Sequence, residues 1–335
     1  MDSVTHIVLG AAIGETLLGK KLGKKGMLLG ALVNNLPDVD VAANFFMTPV
    51  NAMIFHRGIT HSFFFGIIIS YALAFLFYKK DNRFSLSFNE WLKFFLVAIL
   101  AHDVVDYFTS YGTCLLAPFT WQRFSANSIF VADPFYTFPL LVSFLILLII
   151  NSKSSSRRII NKYGIIISSF YLLYTFINKW NVDKIMRQNL RKQNIAYSNY
   201  FTTPAPLNNF LWYVAAKDEF GYHTGYYSVF DETDIIKFNY EKRNELITVL
   251  FPGNTDIPKL KEFSDDFYCF TKNEGSAYFN DLRFGRAAGW MNPPSGFVFR
   301  YRLSDKPEEA LLRRGDVEIS FKEAFISLVE RIKGK

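Results

Sequence analysis

Apolar residues are unevenly distributed along the chain. In the first 180 residues they gather into six runs, at positions 4–18, 26–36, 63–78, 91–107, 136–150 and 163–180. None is an unbroken apolar stretch of about twenty residues, the length that a bilayer core demands of a helix. Several reach that length if their polar ends lie at the interface or face the inside of a bundle. The segment 140–150, almost without polar relief, favours a membrane over a buried soluble core. The pattern therefore predicts an α-helical integral membrane domain of four to six helices over residues 1–180, with Pro37 ending the second.

After about residue 196 the pattern alternates instead. Segments 210–216 and 222–230 read as strands around Lys217-Asp218-Glu219-Phe220-Gly221, and 235–240 is expected to pair with 246–251 around Asn244. Segments 267–271 and 277–284 flank Lys272-Asn273-Glu274-Gly275, a hairpin signal, and 297–303 alternates as a further strand. Residues 320–332 read as a terminal helix. The expectation is a soluble α+β, β-rich domain over 196–335, built on an antiparallel sheet.

Charge adds orientation to this picture. Basic clusters at 20–25, 79–83 and 153–162 join the first run to the second, the third to the fourth and the fifth to the sixth. Alternate basic loops suit a multi-pass protein of the cytoplasmic (inner) membrane of a bacterium, with those loops inside and with loops 38–61 and 109–134, both termini and the second domain outside. Lys179, Lys184, Arg187, Arg191 and Lys192 oppose that orientation, but they lead into a large domain, where the bias is weaker. The net charge of +7 is thus assigned to membrane topology. No nucleic-acid partner is expected, because no nucleic-acid motif or basic-aromatic groove accompanies the charge. Cys114 and Cys269 form no CxxC pair and read as two buried thiols. Asp2 stands where a signal peptide would carry basic charge, so no cleavable signal peptide is expected.

Candidate chemistry gathers at the ends of the apolar runs. In His102-Asp103-Val104-Val105-Asp106, the i, i+4 spacing puts His102 and Asp106 on one helical face, able to share a cation or to act as ligand and orienting partner. Asp103 points about 100° away. Charged groups in a membrane helix are expensive, roughly 2.5–3.5 kcal/mol each on insertion scales, so this trio needs partners. His56-Arg57-Gly58-Ile59-Thr60-His61-Ser62 enters the third run with His56 in a loop and His61 on the first turn of the helix, which Thr60 or Ser62 would cap. Arg57 offers a planar fork for a phosphate or carboxylate, or a partner for Asp38 or Asp40. Asp38 and Asp40 bracket Val39 after Pro37, where one could ligate and the other position, or the pair could bridge two ions; a solvated acidic turn is the plainer use. His6 alone carries little weight. The loop charges, however, put His6, Asp38–Asp40, His56–His61 and His102–Asp106 on one side of the membrane. Mixed imidazole and carboxylate donors suit Zn, Mn or Fe better than Ca or Mg, and such a metal activates water. No Gly-x-Ser-x-Gly, His-Glu-x-x-His or phosphate loop is present. His223 lies in a predicted strand and reads as structural or surface.

At these residues the chain resembles the YdjM-like family of bacterial inner-membrane proteins, described as membrane-bound metal-dependent hydrolases. The likeness rests on Thr5-His6, on Leu36-Pro37-Asp38-Val39-Asp40, on the segments from His56 to Ser62 and from His102 to Asp106, on Thr109-Ser110-Tyr111-Gly112-Thr113, and on Asp133-Pro134. It covers roughly residues 1–150. The order of His and Asp also resembles zinc-dependent phospholipase C and related nucleases, which implies a phosphoester substrate, lipid included. Together these imply a divalent transition metal, zinc foremost, as one or two ions held by His6, Asp38, His56, His61, His102 and Asp106. Asp40 and Asp103 would be bridging or orienting groups in catalysis, and Arg57 would hold the substrate anion. The expected activity is hydrolysis of an ester or phosphoester drawn from the lipid bilayer. The alternative is a transporter or envelope scaffold in which the polar cluster is an ion path or structural knot.

Overall fold

The computed structural model describes every residue except 81–84, 274, 293, 305–311, 315–319 and 335, and the backbone alone of 312–314. Arg83 of the predicted 79–83 basic loop and Glu274 of the predicted 272–275 turn lie outside the described residues. The chain divides into two compact units: residues 1–43, 55–177 and 206–208 form one, and 44–54, 178–205 and 209–335 the other.

The first unit is helical: α1 (Ser3–Leu22), α2 (Lys24–Asn34), α4 (Phe63–Lys80), α5 (Phe88–Tyr107), α6 (Pro134–Ile149) and most of α7 (Ser156–Lys192); the short α3 (Pro49–Phe55), between the two halves of the site sequence, falls almost wholly in the second unit. Asp2 caps α1 by accepting from the backbone N–H groups of Val4 and Thr5. A Ser87–Glu90 capping box starts α5. Helices α1 and α2 form a hairpin across a glycine seam. A Cβ on Gly10 would lie 2.3 Å from the Gly30 carbonyl oxygen, and one on Gly14 2.1 Å from that of Gly26. Only glycine lets the two backbones meet this closely. Asn34 then donates to the Ala98 carbonyl (2.5 Å), tying the end of α2 to α5. Trp91, Phe94, Phe95, Ala98 and Ile99 of α5 are buried in the same core as Val8, Leu9, Ile13 and Leu18 of α1.

On α4 and the first part of α7 the outer faces are apolar and the inner faces small or polar. On α4 only Gly66, Ser70 and Ala74 are buried, four residues apart, while Phe64, Ile67, Ile68, Tyr71, Phe75 and Leu76 are exposed. On α7 Arg157, Asn161, Ser168 and Thr175 turn inward and Tyr163, Ile167, Phe170 and Leu173 outward. Water would penalise that inversion and a bilayer rewards it. Among the described residues, α4 and α7 are long and apolar enough to span a membrane, and the apolar α6 is shorter, at 16 residues.

Among its described residues the second unit holds two four-stranded antiparallel sheets, not one. The first runs β1 (Asn199–Pro204), β2 (Leu211–Lys217), β3 (Gly221–Ser228), β4 (Asn239–Lys242). The second runs β5 (Tyr268–Asn273), β6 (Ser276–Asp281), β7 (Phe299–Arg302), β8 (Leu312–Arg314). The 211–217/221–228 and 268–273/276–281 hairpins form as the alternation predicts. The predicted 235–240/246–251 pair does not. Asn244 is left-handed (φ 56°) and Glu245–Leu250 coils into a 3-10 helix, so β4 pairs with β3 alone. The helix predicted to end at 180 continues to Lys192, because Val182, Met186 and Leu190, each four residues apart, pack on Trp212, Val214 and Ala216 of the first sheet. Phe201, Tyr213 and Tyr222 face Phe267, Cys269 and Phe297 across its other side. Helices α8 (Asp256–Phe263) and α9 (Phe321–Ile332) complete the unit, with Leu328 of α9 against Ala205 and Leu211. Both cysteines are buried thiols, as their spacing implies.

Candidate metal centre

Three segments converge at one end of the helical unit. The chain after Pro37 coils into a 3-10 helix (Pro37–Phe45) that holds Asp38 and Asp40. The last turns of α5 present His102 and Asp106. Between them, Arg57 is left-handed at φ 59°, an uncommon conformation for a residue with a Cβ. It is fixed from both sides: its N–H donates to Asp40 Oδ2 (3.0 Å) and its carbonyl accepts from the Cys114 N–H (3.0 Å). The resulting bend, completed by a 3-10 turn at Ile59–His61, aims His61 inward. Ser62 Oγ accepts from the Phe65 N–H and caps α4.

Asp38, His61, His102 and Asp106 each bring a ligand atom to a common spot, all within 4.8 Å of one another. His61 Nε2 lies 3.3 Å from Asp38 Oδ1 and 3.6 Å from Asp106 Oδ2. His102 Nε2 lies 3.1 Å from His61 Nε2, 3.5 Å from Asp106 Oδ2 and 3.6 Å from Asp38 Oδ1. These separations bracket the roughly 3.3–3.4 Å edge of a tetrahedron whose donors sit about 2.0–2.1 Å from an ion. Asp106 Oδ2 is buried and makes no hydrogen bond, although Arg57 Nε lies 3.1 Å away as an ion-pair partner; a bound cation would satisfy its remaining acceptor capacity. The donor set could thus hold a divalent metal.

Asp40 forms a second cluster with His56 and His61. Its Oδ1 meets His56 Nδ1 at 2.8 Å, and its Oδ2 accepts from Thr60 Oγ1 (2.8 Å) and lies 3.3 Å from His61 Nδ1. With an ion bound, a carboxylate on Nδ1 would keep the proton there and free Nε2 for the ion, the second-layer arrangement of a metal-bound histidine; without one, Nε2–H instead faces Asp38 Oδ1 as a donor. Burial alone would push both aspartates up. Hydrogen bonds from His61, and for Asp40 first from His56, outweigh it, holding Asp38 at about 2 and Asp40 below the usual carboxylate range. Burial likewise opposes the charged form of His61, but the same two aspartates win and raise it above the ordinary imidazole value. Burial holds His56 below that value, against the pull of Asp40.

The remaining predicted residues take other places. His6 is buried, with Nε2 3.2 Å from Asp106 Oδ1 and its ring stacked on His102 (centroids 3.7 Å apart), outside the four-donor group. The Met1 nitrogen touches both His6 Nε2 and Asp106 Oδ1. Arg57 is only 3% exposed. Its guanidinium lies 3.1 Å from Asp106 Oδ2, donates to Thr109 Oγ1 (2.7 Å) and rests over the Tyr111 ring, so neither Asp38 nor Asp40 is its side-chain partner. Burial lowers it to about 10, still charged at neutral pH. Asp103 belongs to neither cluster, and both its oxygens are buried without a hydrogen-bond partner. His223 pairs with Asp218 in the second unit. Sequence reasoning did not anticipate Arg123, whose guanidinium donates to the carbonyls of Gly112 and His56. Nothing in its local pattern marks it. Thr109 and Tyr111 stand directly after the His102–Asp106 motif, and that adjacency was the available signal.

Residues 1–182 match the family model described as YdjM inner membrane protein. The chain belongs to the YdjM inner membrane protein family. The matched segment contains every residue of both clusters, all of α4 and residues 156–182 of α7. YfhP of Bacillus subtilis (strain 168), an uncharacterized protein, is 32% identical over 146 residues, which is 40% of this chain and 42% of YfhP. The chain therefore spans less than half the length of that relative. No solved structure matches the chain.

Proposed function

We propose that this YdjM-family protein is a membrane-bound, metal-dependent hydrolase acting on an ester or phosphoester, lipid included. The convergence of Asp38, His61, His102 and Asp106 within 4.8 Å, in a membrane protein family, carries the reading. These four would hold the ion, zinc first among Zn, Mn and Fe by donor type. Once bound, a divalent metal polarises a carbonyl or phosphoryl oxygen and acidifies water. The chain's own groups do the rest. Asp40 fixes the His61 tautomer and steadies His56. Arg57, held by Thr109, keeps Asp106 in place and adds positive charge beside the reacting group. Asp38, the least buried of the four donors, marks the side from which substrate enters. The membrane domain has up to six spans in this reading. The alternate basic loops support an inner-membrane location with the site and the second domain on the outer side. A C-terminal phosphatase reporter should be active; a silent one reverses the sidedness.

One observation favours a structural ion instead. Four protein donors make a closed set, whereas catalytic zinc keeps three plus an open position. The two readings separate in one experiment. Purified protein is assayed against bis(p-nitrophenyl) phosphate, p-nitrophenyl esters and phospholipid vesicles, with and without chelator. Turnover abolished by chelator and restored by zinc supports the hydrolase. A chelator-dependent fall in melting temperature with no turnover of any probe supports the structural ion and overturns the hydrolase.

A further inference from the structure

The second unit contains a cleft that hydrolysis at the metal centre does not use. Its volume is about 720 Å³, within the ~300–1,000 Å³ of small-ligand sites. Tyr226 of β3 lies along it, and Glu241, Arg286 and Trp290 are among the residues that wall it. Among the described lining residues three acids, Asp231, Glu232 and Glu241, face three bases, Lys237, Arg286 and Arg331, so their charges balance. Two of the bases are pinned by forked pairs. Arg286 holds Glu241 through Nε and an NH2 group (2.9 and 3.0 Å), and Arg331 holds Asp231 (2.6 and 3.0 Å). The Arg286 plane also lies 3.8 Å over the Phe297 ring. These donors and acceptors are half-buried and preorganised. Trp290 is fixed by its Nε1 donating to Ser327 Oγ (3.0 Å), and it stands edge-to-face with Tyr226 at 5.9 Å. The wall sits that close only because position 289 is glycine: a Cβ there would lie 2.3 Å from the Tyr226 hydroxyl.

An anion entering this cleft meets three carboxylates, and a cation meets three bases, with no surplus partner for either. A neutral polyol escapes that conflict. Its hydroxyls can donate to the carboxylates and accept from the guanidinium edges at once, and no charge has to be desolvated. A sugar ring also has an apolar face suited to an aromatic wall. We propose that the cleft lined by Glu241, Arg286 and Trp290 binds a neutral saccharide.

The test uses the full chain in lipid nanodiscs, which avoids sugar-based detergents. Maltotriose, cellotriose, mannotriose and N,N′,N″-triacetylchitotriose are titrated by calorimetry, with tri-alanine as a zwitterionic peptide probe. At least one trisaccharide should saturate with a Kd of about 1 mM or tighter. Trp290→Ala should weaken it at least about tenfold. Arg286→Lys, which keeps the charge but breaks the fork, should weaken it several-fold, and it carries the test if Trp290→Ala fails to fold. The proposal is overturned if no trisaccharide saturates below about 20 mM, if tri-alanine saturates instead, or if binding is unchanged in folded Arg286→Lys.

Discussion

Gly14→Ala sets two physical effects against each other, and their sizes decide the outcome. In an isolated helix the change is favourable by about 0.8–1 kcal/mol, because alanine has the better helix propensity. In this protein the new Cβ would sit 2.1 Å from the Gly26 carbonyl oxygen, 2.9 Å from its carbon and 3.1 Å from Gly30 Cα. Close carbon–oxygen contacts lie near 3.3 Å, so the helices must part by about 1 Å at this point. The obstacle is backbone and cannot rotate aside. Overpacking of this kind costs about 1–3 kcal/mol, and the opened seam also loses its dispersion contacts. Sterics therefore outweigh propensity, leaving the variant about 1–2 kcal/mol less stable. For a unit of this size each kcal/mol is about 2–4 °C, so the melting temperature in a fixed detergent should fall by about 2–8 °C. Because α1 carries His6 and α2 leads into Asp38, bound metal should fall with it. A Gly14→Ala protein that melts at or above the wild type would refute the close seam and the placement of the site built on it.

Glu15 and Arg157 form a buried pair, with Nε and an NH2 group of Arg157 at 2.9 and 2.6 Å from the two carboxylate oxygens. Arg157→Met should cost about 3–5 kcal/mol by stranding Glu15, and Glu15→Gln in the same protein should recover most of it; a double variant no better than the single would contradict the pairing. Asp38 is held at about 2 instead of 3.8, a difference that corresponds to about 2 kcal/mol. A lowered folded value stabilises above pH 3.8 and is lost as pH falls through about 2. In chelated protein, the gap between wild type and Asp38→Asn should therefore be about 2 kcal/mol at pH 5 and close toward pH 2; a gap that persists there would show that Asp38 acts by packing. Arg57→Lys keeps charge near Asp106 but cannot also serve Thr109 as a fork does, so metal affinity should drop about tenfold or more. An unchanged affinity would remove Arg57 from the site's support.

Much of the helical unit was legible because apolar runs mark helices: each of the six predicted runs lies largely within a helix, and among the described residues two of those helices are long and apolar enough to span a membrane. The spacing in His102–Asp106 put both side chains on one face, as found. What the sequence concealed depends on contacts made across long separations. That Asp40 would orient His61 through Nδ1 while Asp38 meets Nε2 follows from the left-handed bend at Arg57, which no local pattern encodes. Arg57 read as an anion clamp because its position near an interface was visible, whereas its burial against Asp106, 49 positions along the chain, was not. Strand 246–251 failed because alternation cannot distinguish a strand from a short 3-10 helix once Asn244 turns left-handed. The extension of α7 was readable after all: Val182, Met186 and Leu190 repeat every four residues, but the intervening charges masked them.

Metal content measured by elemental analysis tests the central claim most directly. Protein purified under metal-replete conditions should carry about one equivalent of a transition metal, zinc foremost, and the His102→Ala/Asp106→Ala variant should carry almost none. A wild-type protein without transition metal above background, or a double variant that retains it in full, would contradict the account.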